Sequence, residues 1–187
     1  MMRLPELVLG LVLVPSVMVA AEAENDRASY DWLTQLDGQW MLSPADQQEG
    51  KATQHKLVVP LVGTDAVAMN FKVIGKGSTV QESLLPDTKK EMVTMYHCGD
   101  TECSQVRATH YCVKQNQPRL IVDTNASNDS LMLLECDMDT AVCQSKLNHV
   151  HRITHELSAE GKHLKTTYTS YADGKHLKDS VYHFDRQ

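Results

Sequence analysis

The feature that most limits how this chain can fold is a side-chain alternation that starts at Val67 and runs almost to the C-terminus. Val67, Met69, Phe71 and Val73 alternate with Ala68, Asn70 and Lys72, and a glycine-rich turn, Gly75-Lys-Gly77, follows. Successive strand side chains point to opposite faces, so a period of two reads as a half-buried strand. Further short strands are expected at 79–84, 91–97, 105–112, 119–123, 131–136, 147–155, 163–171 and 175–185, with a first one at 39–42. Asp173-Gly174 separates the last two runs and is the strongest short hairpin signal present. Eight to ten short strands at roughly ten-residue spacing predict an all-β antiparallel architecture. Sequential meandering strands remove their exposed edges by closing, which gives an up-and-down barrel.

A helix is expected before the strands. Trp32, Leu33 and Leu36 fall on one side of residues 29–36, and Gly38 ends the segment. Upstream, Arg3, an apolar run over 7–19 and Ala21-Glu-Ala23 read as a secretory signal peptide, 1–23. That leaves 24–187 as a single domain, periplasmic or secreted, with no membrane span once the signal is removed. The chain carries 18 Lys+Arg against 24 Asp+Glu, a formal charge of −6, which argues against a nucleic-acid footprint.

Four of the five cysteines form two tight brackets, Cys98/Cys103 and Cys136/Cys143, each closing a turn sequence. Zinc ligands usually stand two to four residues apart, so disulfides stapling two hairpins are the expected reading. Cys112 is left as a free thiol, read as a small buried hydrophobe more readily than as a nucleophile.

Histidine supplies the candidate chemistry. His110 and Cys112 share a strand face, as do His149 and His151, and His97 lies on the strand expected to pair with that of His110. Were these faces all inward, with Glu82, the lumen would gather imidazoles, a thiol and a carboxylate, a set able to bind zinc, copper or a haem iron. The opposite phase, with Tyr96, Tyr111 and Val150 inside, is equally allowed. Arg119 follows the turn Asn116-Gln-Pro118 and is placed either to clamp an anion or to form an internal ion pair.

Gly38-Gln-Trp40 after the helix, and Phe184-Asp-Arg186 at the end, resemble the calycin superfamily. So do, in order, Gly77-Ser78, Glu82, Glu91–His97, Thr109–Cys112, Asn116–Leu120, His149-Val-His151 and Gly174-Lys175. Together they are similar to a calycin-like (lipocalin-like) family of exported bacterial proteins of unknown function. The resemblance implies a barrel whose closed end is plugged by Trp40, with Arg186 over its ring. The two cysteine brackets depart from that family's pattern.

The expected function is binding of a small, mostly apolar ligand in the lumen, through Glu82, His97, His110, Cys112, Arg119, His149 and His151. A haem- or metal-binding barrel, a small hydrolase or isomerase, and a purely structural envelope domain are the alternatives. No cofactor, oligomeric state or catalytic set is assigned by the sequence.

Overall fold

The structure is a computed structural model that describes residues 18–44 and 54–187. Most of the expected signal segment lies outside the described residues; its last residues, from Met18, belong to a helix, α1 (Met18–Thr34). That helix starts earlier than the 29–36 expected. Its last turn tightens, with Gln35 N donating to Trp32 O and Leu36 N to Leu33 O.

Ten strands follow: β1 (Gly38–Leu42), β2 (Val67–Ile74), β3 (Thr79–Leu84), β4 (Met92–Cys98), β5 (Val106–Tyr111), β6 (Arg119–Val122), β7 (Leu131–Cys136), β8 (His149–Leu157), β9 (His163–Ala172) and β10 (Lys175–Arg186). Each pairs antiparallel with its neighbour in sequence, and β1 pairs with β10, so the barrel closes. Asp173 and Gly174 both take positive φ, 52° and 69°, as a two-residue primed hairpin turn requires. A one-turn helix, α2 (Ala141–Gln144), sits between β7 and β8, where no helix is expected.

Alternation assigns the walls. On β5, Val106, Ala108 and His110 are buried while Arg107 and Tyr111 are exposed; on β4, Thr94 and Tyr96 are buried. The inward phase is therefore a mixture of the two weighed above: Tyr96, His110 and Val150 are inside, and Tyr111 is outside. Trp40, Phe71, Leu120, Leu134, Ile153, Leu164 and Phe184 complete the apolar core.

Helix α1 closes one end. Trp32 Nε1 donates to Asp129 O (2.9 Å), Tyr30 OH to Gly77 O (2.9 Å), and Trp40 Nε1 to Leu36 O (3.0 Å). Arg186 stands opposite Trp40 in the β1–β10 pair with its guanidinium carbon 4.2 Å from the indole centroid. The same guanidinium donates to Gly161 O, Asp37 O and Gln35 O at 2.7–2.8 Å, which satisfies carbonyls at the helix end and adds a cation–π contact. A lysine has one point charge and no planar fork. Arg186→Lys is expected to lower stability by about 2 kcal/mol, measured by urea unfolding with tryptophan fluorescence.

Both cysteine brackets are bonded. Cα–Cα separations are 4.7 Å for Cys98–Cys103 and 5.7 Å for Cys136–Cys143. Cys112 is free and buried.

Candidate functional site

The middle of the lumen is polar. Glu82 on β3 is fully buried, and its register partner on β4 is Thr94, whose own partner on β5 is His110. Three adjacent strands thus place a carboxylate, a hydroxyl and an imidazole side by side. Across the barrel, β8 and β9 contribute His155, Thr166 and Tyr168.

Donors converge on Glu82. Tyr168 OH (2.6 Å) and Thr94 Oγ1 (3.1 Å) donate to Oε1; Tyr96 OH donates to Oε2 in a short contact, with His155 Nε2 at 3.5 Å. Tyr96 has spent its proton on the carboxylate, so its oxygen accepts from His155 Nε2 at 2.9 Å, and that nitrogen carries a proton. His155 Nδ1 meets Thr166 Oγ1, its cross-strand partner, at 3.0 Å. Burial pushes the Glu82 carboxyl up, but His155, Tyr168 and Tyr96 outweigh it and hold the group below its usual value. Burial first, and then the Glu82 charge, pushes both phenols well above the ordinary tyrosine range. Glu82 is therefore ionised, and the phenols keep their protons.

The state of His110 follows from its contact with Thr94. Thr94 gives its proton to Glu82, so at 2.9 Å it accepts from His110 Nδ1. Burial drives the His110 pKa down to about 4, with Glu82 opposing and Lys114 adding to the fall. The ring is neutral with its proton on Nδ1. Its Nε2 is a buried lone pair with no partner among the described residues.

Above this network, at the end away from α1, a cavity of about 100 Å³ opens. Leu85, Met92, Cys112, Val150, Tyr168 and Tyr182 supply its apolar wall, and Lys90, Lys114 and Lys178 also line it. Burial raises the Tyr182 pKa to about 12. Lys114 Nζ donates to Asn148 Oδ1 at 2.6 Å and lies 3.4 Å from Ser170 Oγ. Tyr168 links the two layers, since its ring lines the cavity and its hydroxyl binds Glu82.

The structure brings Glu82 and His110 together and puts Cys112 in the cavity wall, with its thiol 3.8 Å from Met92 Sδ. His97 is not with them: it follows inward Tyr96, is half-buried, and its Nδ1 bonds the Cys98 carbonyl at 2.8 Å. Arg119 is exposed at the start of β6. His149 and His151 form a separate pair, Nε2 to Nδ1 at 3.0 Å, beside Cys136. Burial, and then the neighbouring His149, lowers the His151 pKa.

Sequence reasoning passed over Thr94, His155, Thr166, Tyr168 and the three lysines. Parity would have found His155, which is two residues beyond inward Ile153. The shift in register between Val150 and Arg152 breaks the count from His149.

Fold and site together define a closed ten-stranded antiparallel barrel, compatible with the calycin-like architecture, with a charged network at mid-lumen and a lysine-lined cavity above it. No protein-family model, curated protein or solved structure matches the chain.

Proposed function

We propose that this is a non-catalytic binding barrel whose cavity takes a small amphipathic anion, apolar body inward and anionic head among the lysines. One observation carries the reading: an apolar wall together with Lys90, Lys114 and Lys178, at the end of the barrel away from α1. Apolar linings with a few placed polar groups are the usual makeup of small-molecule sites. A volume of about 100 Å³ suits a short-chain carboxylate and leaves no room in this cavity for a tetrapyrrole. The Glu82 network supports binding over turnover, because the carboxylate already accepts from Tyr168, Thr94 and Tyr96 and lies 3.5 Å from His155 Nε2.

Export with removal of 1–23, and a single domain over 24–187, belong to the same reading. Two bonded cysteine pairs suit an oxidising compartment, and no helix among the described residues is long and apolar enough to cross a membrane.

The test is calorimetric titration with hexanoate, hexanol and hexylamine. Hexanoate is expected to bind at least about tenfold tighter than hexylamine, and Lys178→Ala to weaken it by about tenfold, roughly 1.4 kcal/mol. Equal affinity for the amine and the carboxylate would overturn the anion preference. No binding of any of the three would overturn the reading.

A further inference from the structure

A second cluster lies at the end of β7 and the start of β8, joined by the loop that carries α2. Cys136 Sγ and one nitrogen each from His149 and His151 lie within 4.8 Å of one another. His149 and Cys136 are buried and His151 is half-buried. His149 donates through Nδ1 to the Leu147 carbonyl at 2.8 Å, which turns its Nε2 lone pair toward His151. The His151 ring is stacked on Tyr171, with centroids 4.1 Å apart and planes 13° from parallel. An outer hydrogen bond and a packed ring are what fix metal-binding imidazoles in place.

The spacing of the two nitrogens also fits. Two nitrogens on a tetrahedral zinc ion stand roughly 3.3 Å apart, and a sulfur and a nitrogen roughly 3.6 Å. The two histidine nitrogens are 3.0 Å apart. What prevents ligation is chemical, because Cys136 is bonded to Cys143 and a disulfide sulfur is not a thiolate.

We propose that the Cys136–Cys143 disulfide is a redox latch over a d10 metal site, with Cys136, His149 and His151 as ligands to Zn²⁺ or Cu⁺. A dithiol reductant gives two electrons and two protons to the disulfide, becomes a disulfide itself, and leaves two thiols here. Cys143 Sγ already sits 3.3 Å from the Arg119 carbonyl oxygen, so its new S–H has an acceptor in place. Cys136 is then free to rotate toward the imidazoles and releases its proton to solvent as it ligates the ion. His151 moves its proton from Nδ1 to Nε2, which opens Nδ1 to the metal. Solvent fills the fourth position.

Two single variants separate the ligand from its latch without any reductant. Cys143→Ser leaves Cys136 as a permanent thiol, Cys136→Ser leaves Cys143, and both keep the Cys98–Cys103 bond and Cys112. Titrated with Co²⁺, the Cys143→Ser chain is expected to bind one equivalent with a sulfur-to-metal charge-transfer band. Affinity should be on the order of 100-fold above that of the oxidised native chain. Zn²⁺ should displace the cobalt, and a Cu⁺ competition assay reports the alternative ion. Cys136→Ser should show neither band nor tight binding. His151→Gln added to Cys143→Ser, at a half-buried position, should lose at least tenfold. Equal binding by the two serine variants would overturn the proposal, and so would an unchanged affinity with His151→Gln. Failure here leaves the lysine-lined cavity unaffected, because none of these three ligands lines it.

Discussion

Replacing His110 with asparagine flattens the acid limb of the stability profile. In the native chain His110 titrates near 4, against 6.5 for the unfolded residue. Between those values the unfolded chain binds a proton that the folded chain refuses, so stability falls as the pH drops through that window. The loss is about 3 kcal/mol on going from pH ~6.5 to pH ~4, and none of it is present above pH ~7. Glu82 acts lower down. Its depressed folded value contributes stability above the unfolded carboxyl pKa of about 4.3, and that contribution disappears as pH falls through the folded value. The intermediate window therefore belongs mainly to His110, since His151 is more exposed and solvent screens it. Asparagine keeps an N–H where Nδ1 donates to Thr94 but has no proton to gain. The variant is expected to lose about 1–2 kcal/mol uniformly, from the space the ring leaves, with the slope between pH 6.5 and 4 mostly gone. Urea midpoints across that range measure it, and an unaltered slope would show that His110 is not the buried neutral base described above.

The larger single loss is expected at Glu82. Glu82→Gln keeps the volume but removes the charge and turns one oxygen into a donor that faces Tyr96 and His155. Buried donors without an acceptor are costly, and breaking a buried ion network from one side typically costs about 3–5 kcal/mol. The partners must change together if stability is to return. Glu82→Leu with Tyr96→Phe and Tyr168→Phe is expected to regain part of the loss, because the two phenol donors go with their acceptor while His155 Nε2–H and the Thr94 hydroxyl still lose theirs. A cost below about 1 kcal/mol for Glu82→Gln would mean that the carboxylate is neither buried nor ionised as described.

Most of the barrel was legible in the sequence because one physical constraint repeats. A sheet with one face in a shared core needs alternation, and Val67–Val73 and Val106–His110 show it plainly, whereas Leu131–Cys136 alternates only in its burial. The Asp173-Gly174 turn and the two cysteine brackets were equally direct. Helix α2 was not, since four residues carry too little periodicity to register.

The site was half legible. His110 and Glu82 were singled out, but β4 reads Met-Val-Thr-Met-Tyr-His-Cys, with apolar and polar residues on both faces, so Tyr96 and His97 compete for the interior. Tyr168 lies in Thr166-Thr-Tyr-Thr169, where the other three residues are threonine and no contrast sets the phase. Lys90 and Lys114 stand in turns just outside the strands, and Lys178 follows an irregularity in the β9–β10 pairing. Nothing periodic marks such positions; only closure of the barrel gathers them at one cavity.

Methionine placement allows the binding claim to be read directly. Met92 lines the cavity, Met132 is buried near helix α1 at the other end, and Met95 is on the outward face of β4. In a chain carrying ¹³C-methyl methionine, hexanoate is expected to shift the Met92 resonance saturably, with Met95 and Met132 unmoved. A Met92 signal that stays fixed while Met95 or Met132 responds would contradict the assignment of this cavity as the ligand site.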